Sequence, residues 1–222
     1  MGSESGLRLG AALQQFWWTR GYLSEGRERL TALLARPQAQ AWSGQYGSIE
    51  TSTRDRTKAR ADALNGAGAL CWLQSDYTAA RTMHTESLEI RRELGDMLGI
   101  ASSPGNLGNV ADQQGNYASA RSLLEESLSI HNQLGDRQGI AESLVACAGL
   151  SAEADRLEDA ARLWGAAERL REEYGTPQAP NDLAAHDSAV GACNAIDKES
   201  LTSAWTEGRA MTEEQAIACA NR

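Results

Sequence analysis

The chain has 222 residues, 41% hydrophobic and 23% charged, with a formal charge of −9 and a pI near 4.9. That balance belongs to a folded soluble chain, and it lacks the clustered Lys and Arg of a phosphate-tracking surface, so direct nucleic-acid binding is not expected. No apolar run approaches the roughly 18 to 20 residues that span a bilayer, and the opening MGSESGLRLG lacks the charged-then-apolar order of a secretory signal, so the expected location is cytoplasmic, with no membrane partner.

The first element, residues 7–35, contains QQFWWTRGYLSEG, in which Phe16, Trp17 and Trp18 stand side by side. Neighbours on a helix point about 100° apart, so the three rings cannot share one face. Residues 36–57, RPQAQAWSGQYGSIETSTRDRT, are polar and aperiodic and read as an irregular insert, with Trp42, Tyr46 and Ile49 available to dock it.

A repeat follows. Residues 62–101 aligned without a gap on 102–141 are identical in 15 of 40 columns, including Gly68 with Gly108, Tyr77 with Tyr117, Ala80 with Ala120 and Leu94-Gly95-Asp96 with Leu134-Gly135-Asp136. A third, weaker unit spans 142–175, with Ala148, Leu157, Ala160 and Gly175 in the matching columns. Self-similarity at this period marks stacked units that bury their apolar faces against one another. Each unit reads as two helices: the first carries Gly68 or Gly108, and a turn falls at Ser75-Asp76 or Gly115-Asn116. The second has its apolar and small residues at 80, 83, 84, 87, 88 and 90. Gly95 and Gly135 suit a left-handed stop, and Asp96 and Asp136 can cap the next helix. Small residues at 68, 80 and 87 predict close helix crossings. Pro104 predicts either a helix restarting behind a Ser103 cap or a kink.

After Gly175 comes a loop, then helices expected over Asp182–Ala195, Asp197–Met211 with Asp197 as cap, and Glu213–Asn221, the last opened by a Thr212–Gln215 capping box. The expected fold is all-α: an α-α superhelix of about four repeats over 1–175 (near 7–35, 62–101, 102–141 and 142–175), stacked without a break and closed by a helical cap at 176–222.

These columns resemble the tetratricopeptide repeat family, whose small residue in the first helix corresponds to Gly68 and Gly108. Its turn aromatic corresponds to Tyr77 and Tyr117, and its small residues in the second helix to Ala80 and Ser87 with Ala120 and Ser127. Six residues beyond the usual length of about 34 resemble the longer-helix variant of kinesin-light-chain-like arrays. Setting Leu23 in the Tyr77 column puts Gly21 with Ser75, and Phe16 with Leu70 and Val110, so Phe16 is expected in the core. Trp17 falls with Cys71, in a close-packed seam. Trp18 falls with Trp72 and Asp112, in the column that the resemblance places along a concave groove; the bland alternative is that both tryptophans cover an exposed first edge. LEDAARLWGAAERLREEYGTP and SAWTEGRAMTEEQAIACA are similar to the C-terminal repeat region of bacterial LuxR/SARP-type transcriptional regulators and predicted ATPases, although neither a GxxxxGK[ST] loop nor a basic recognition helix is present in this chain.

Little points to catalysis, to a metal or to a cofactor. His84, His131 and His186 have no i+4 His or Cys partner and read as surface or partly satisfied histidines. Cys71, Cys147, Cys193 and Cys219 show no ligand spacing and read as reduced, buried thiols. GAGAL and GNLGN sit inside helical repeats, away from any strand, and Glu86, Glu125 and Glu126 read as solvated charges. The resemblance implies a groove lined by Gln15, Trp18, Asn65, Trp72, Asn106, Asn109, Asp112 and Gln113, in which amides suit an extended backbone and indoles offer apolar faces. For Asn106 and Asn109 the alternative is helix-to-helix hydrogen bonding. The columns where some relatives carry a lysine clamp hold Gln15, Ala69, Gln113 and Glu153, which disfavours a chaperone-tail ligand. The expected partner is a protein or peptide, or a neighbouring domain of a larger regulator; a small-molecule inducer in the same groove is the second reading.

Overall fold

The computed structural model describes residues 3–35, 57–175 and 198–222. The insert with Trp42, Tyr46 and Ile49, the helix expected over 182–195, and His186, Cys193 and Asp197 lie outside the described residues.

Among the described residues there are ten helices and no strand. They are α1 (Ser3–Thr19), α2 (Leu23–Ala35), α3 (Lys58–Leu73), α4 (Tyr77–Leu94) and α5 (Met97–Gln113), then α6 (Tyr117–Leu134), α7 (Arg137–Glu153), α8 (Leu157–Tyr174), α9 (Lys198–Ala210) and α10 (Glu213–Ala220). Their limits are written locally. Thr57, Asp76, Asn116 and Asp136 each accept a hydrogen bond from a first-turn amide at 3.1 to 3.3 Å, and loss of one such cap typically costs about 1 kcal/mol. Thr212 and Gln215 form the reciprocal capping box. Gly95, Gly135 and Gly175 end the second helices in the left-handed conformation, at φ of 66°, 64° and 64°. The tighter turn inside each pair also needs a positive φ, adopted by Gly21 (75°), Ser75 (61°), Gly115 (73°) and Asp155 (60°), the column in which Gly21 was aligned.

The chain forms two compact units, Met1–Ser103 and Pro104–Arg222, whose boundary falls within α5. Pro104 does not restart the helix: α5 is a single α-helix with the proline inside it. Ser103 Oγ instead donates to the Gly99 carbonyl at 2.7 Å.

In the first unit the core joins Leu7 and Trp17 of α1, Leu30 of α2, and Ala59, Ala63, Ala67 and Leu70 of α3. Close approach is possible because the facing residue is small. An added Cβ on Gly26 would lie 2.7 Å from the Trp17 indole, and one on Gly68 would lie 2.8 Å from the His84 ring. Ser87, fully buried, donates to the Ala61 carbonyl across the α3–α4 crossing at 2.8 Å. Phe16 corrects the expectation of a core position: it is 47% exposed, with its ring 6.2 Å from that of Tyr22. Its column mate Leu70 is buried by side chains of α1 and α2, and among the described residues no helix pair precedes α1 to do the same for Phe16. Glu86 is not a solvated charge either; its carboxylate pairs with the buried Arg60 at 2.8 Å. Glu125 pairs with Arg121 along α6 at 2.7 Å, while Glu126 is exposed.

In the second unit one core runs from Leu124 and Leu128 of α6 through Ile140 and Leu144 of α7 and Leu163, Trp164 and Leu170 of α8 to Ala216 and Cys219 of α10. Leu201, Met211 and Ile217 pack on its edge, so α9 and α10 cover the apolar side of the last repeat. The α8–α9 contact is backbone on backbone: a Cβ on Gly165 would meet the Trp205 carbonyl at 2.3 Å, and one on Gly208 the Arg162 carbonyl at 2.0 Å. Arg162–Glu207 and Arg209–Glu168 ion pairs, at 2.8 and 2.6 Å, flank the crossing.

Candidate functional site

The groove residues expected from sequence divide between the two units. Gln15 and Trp18 lie on α1, but their side chains are outside the described set. Asn65 and Trp72 lie two turns apart on α3, both half-buried. Asn106, Asn109 and Gln113 follow i, i+3, i+7 spacing along one face of α5, with Asp112 beside them.

In the first unit Asn65 is one wall of an open hollow of about 410 Å³. Arg8 of α1, Asp62 of α3 and Arg91 of α4 supply its other polar groups, and Ala11, Ala12 and Ala59 its short apolar floor. Trp72 is not among its walls. Asn65 is held from behind by His84, whose Nδ1 lies 3.2 Å from Asn65 Oδ1. His84 is 3% exposed, and burial, helped by the charge of Arg91, pushes its pKa down to about 4. The ring is therefore neutral at pH 7. Because an amide oxygen only accepts, Nδ1 carries the proton and donates, leaving the Asn65 NH2 on the opposite side of the amide. Arg91, 6% exposed, gives one Nη to the Gly99 carbonyl at 2.9 Å and the other to Asp62 at 3.1 Å.

Reading each side chain alone missed Arg8, Asp62 and Arg91, and it placed His84 and His131 too near the surface. His131 is also 3% exposed, with Nδ1 2.8 Å from Asp136. A signal for both was present. His84 shares its column with the buried Leu124 and Trp164, and Arg91 shares its column with the buried His131 and Arg171.

The second unit presents a different chemistry. The Asp112 carboxyl on α5 is in hydrogen-bonding contact with that of Glu153 on α7, and burial raises the pKa of both, Glu153 further because of the Asp112 charge. Gln113 donates to Asp112 Oδ2 at 3.4 Å, and Tyr117 bonds Glu153. Two carboxyl groups in contact share a proton more readily than they carry two charges. The surrounding charge matches: residues 104–222 contain 9 Lys and Arg against 19 Asp and Glu, whereas residues 1–103 contain 12 against 11. All of the net negative charge thus belongs to the second unit, −10 against +1 for the first.

Three of the cysteines are buried free thiols, and burial pushes the Cys147 thiol up to about 12. Among the described residues, no three His, Cys, Asp or Glu side chains are placed to hold a metal, and no helix is long and apolar enough to cross a membrane.

Residues 59–133, which span α3 to α6, match the family model described as tetratricopeptide repeat. Over that stretch the chain is similar to tetratricopeptide repeats. Repeats of this family generally mediate protein–protein interaction and are typically non-catalytic scaffolds. The structure is similar to that of a Podosopora anserina protein described as a kinesin light chain with nearly identical TPR-like repeats. The TM-score is 0.54 at 16% identity, over 95% of this chain and 96% of that one. A single-substitution form of the same protein gives 0.55 at 16% identity, with the same coverage. At that identity the likeness shows the fold, the helix-pair solenoid class, and no more. No curated protein sequence matches the chain.

Proposed function

We propose that this chain is a non-catalytic protein–protein interaction module, the regulatory or sensor portion of a bacterial signalling or transcriptional regulator. It takes a peptide, a partner helix or a neighbouring domain on the first-helix faces of its repeats. The observation that carries this reading is the tetratricopeptide match over residues 59–133. Asn106, Asn109 and Gln113 place amides in a row on α5, the side-chain type whose groups can donate to a carbonyl and accept from an N–H. The acid excess of residues 104–222 favours a partner with a basic surface there, steered more strongly at low salt.

A second reading, small-molecule sensing, rests on the polar hollow of the first unit. Thermal-shift screening against metabolites beside affinity capture separates the two. The first predicts a captured protein that is lost, without loss of melting temperature, when Asn109 becomes Arg. A metabolite shift with no captured protein, or capture indifferent to Asn109→Arg, would count against it.

A further inference from the structure

α1 is apolar on two opposite faces. Leu7, Gly10 and Trp17 are buried on one side, Leu7 and Trp17 in the core of the first unit. On the far side Leu9, Ala12 and Phe16 follow i, i+3, i+7 spacing. Leu9 is 61% exposed and Phe16 47%, and Tyr22, whose ring lies 6.2 Å from that of Phe16, is 53% exposed. The exposed sides of α4 and α6 have a different character: they carry Arg81, Thr85, Glu89 and Arg92, and Ser122, Glu126, Ser129 and Gln133. A helix with apolar residues on both sides is suited to lie between two partners, since leaving either side in water forgoes the free energy of burial. The repeat register agrees. In the alignment that sets Phe16 with Leu70, residues Leu9, Ala12 and Leu13 fall with Ala63, Gly66 and Ala67. All four of those α3 residues are buried, and Ala63, Ala67 and Leu70 share a core with Leu7, Trp17 and Leu30 of α1 and α2. The outer face of α1 thus stands in the columns that α3 buries under a helix pair.

We propose that the outer face of α1 docks on the same face of a second copy of this chain, giving a two-fold dimer. In an antiparallel pair Leu9 of one copy lies against Phe16 of the other. Ala12, close to midway between them, sits at the crossing, where a small side chain lets the helices approach closely. Charge favours this face for self-pairing: residues 1–103 contain 12 Lys and Arg against 11 Asp and Glu, so two copies meet there without the net repulsion that residues 104–222, with 9 against 19, would impose. A two-fold contact uses the face on both copies, so assembly stops at two. A patch of a few side chains belongs to the weak class of interfaces, so the pair should form at about 10 to 100 µM and part by about 1 µM. The contact is independent of the partner or ligand that the repeats take.

Analytical ultracentrifugation of the full chain across that concentration range tests it. The mass should rise from 23.8 kDa to twice that value. Leu9→Glu, at an exposed position, should leave the helical content and the melting temperature of the dilute chain unchanged and hold the mass at 23.8 kDa throughout. Leu98→Glu, at a leucine 58% exposed on α5, should leave the dimer intact. With a short bis-maleimide, Ala12→Cys should give far more covalent dimer than wild type, and Leu98→Cys no more than wild type. A wild-type chain that stays monomeric throughout the range, a species larger than a dimer, or a dimer that survives Leu9→Glu would overturn the proposal. So would a dimer lost equally in Leu98→Glu, or an Ala12→Cys chain that cross-links no better than wild type.

Discussion

His84 makes the stability of the first unit depend on pH in a direction that can be worked out. Its ring lies against Gly68, 3% exposed, and its pKa of about 4 compares with 6.5 for the unburied side chain. As pH falls, the unfolded chain takes up a proton before the folded one does. The stability that goes with the neutral ring is therefore whole above about pH 6.5 and is lost progressively towards about pH 4. Two and a half units at about 1.36 kcal/mol per unit put that loss at about 3 kcal/mol. His84→Leu removes the titration and installs the residue found forty positions on, where Leu124 packs over Gly108. Near neutral pH the variant should be less stable by about 1 kcal/mol, since Asn65 Oδ1 loses its donor. Between about pH 7 and about pH 4 the balance should swing by roughly 2 to 3 kcal/mol in favour of the variant. Amide hydrogen exchange in α3 and α4 keeps the measurement within the first unit, and the carboxylates common to both proteins cancel. A stability difference that stays constant with pH would refute the reasoning.

The aromatic run separates by burial: Trp17→Ala, which empties a position 5% exposed, should cost about 3 to 5 kcal/mol, whereas Phe16→Ala, at 47% exposed, should change the denaturation midpoint little. Gly108→Leu should overpack the α5–α6 crossing, where a Cβ already sits 3.0 Å from Leu124, and cost about 1 to 3 kcal/mol in thermal or urea melts. Gly208→Ala should cost at least as much, because its methyl would meet the Arg162 backbone and not a movable side chain. For Asp112 and Glu153 the folded pKa values are raised, so their contribution is present in acid and is lost as pH rises through them. Asp112→Asn should therefore stabilise the second unit at neutral pH, and its advantage should vanish as pH falls below the ordinary carboxylate range.

What could be read from sequence was what is local or periodic. Asp76, Asn116, Asp136 and Thr212 cap helices through amides three residues away, and Gly95 and Gly135 need only their own backbone conformation, so the helix pairs were legible from spacing alone. The burial of Trp17 and of Ser87 followed from their columns. A column predicts burial only where another helix pair lies over it, as α1 and α2 do over Leu70; among the described residues none does so for Phe16. Glu86 reads as a solvated charge in the sequence because its partner, Arg60, lies 26 residues away on another helix and meets it only through packing. The hollow was invisible for the same reason: Arg8, Asn65 and Arg91 come from three helices, and no spacing within any one of them joins the set.

A photo-reactive residue placed at Asn109, on the first helix of its repeat, and at Ser122, exposed on the second helix of the same pair, tests most directly which face of the repeats meets a partner. The account predicts a protein or peptide adduct from Asn109 that is strongly reduced or absent from Ser122 at equal expression and melting temperature. Adducts of equal yield from both positions, or from Ser122 alone, would contradict it.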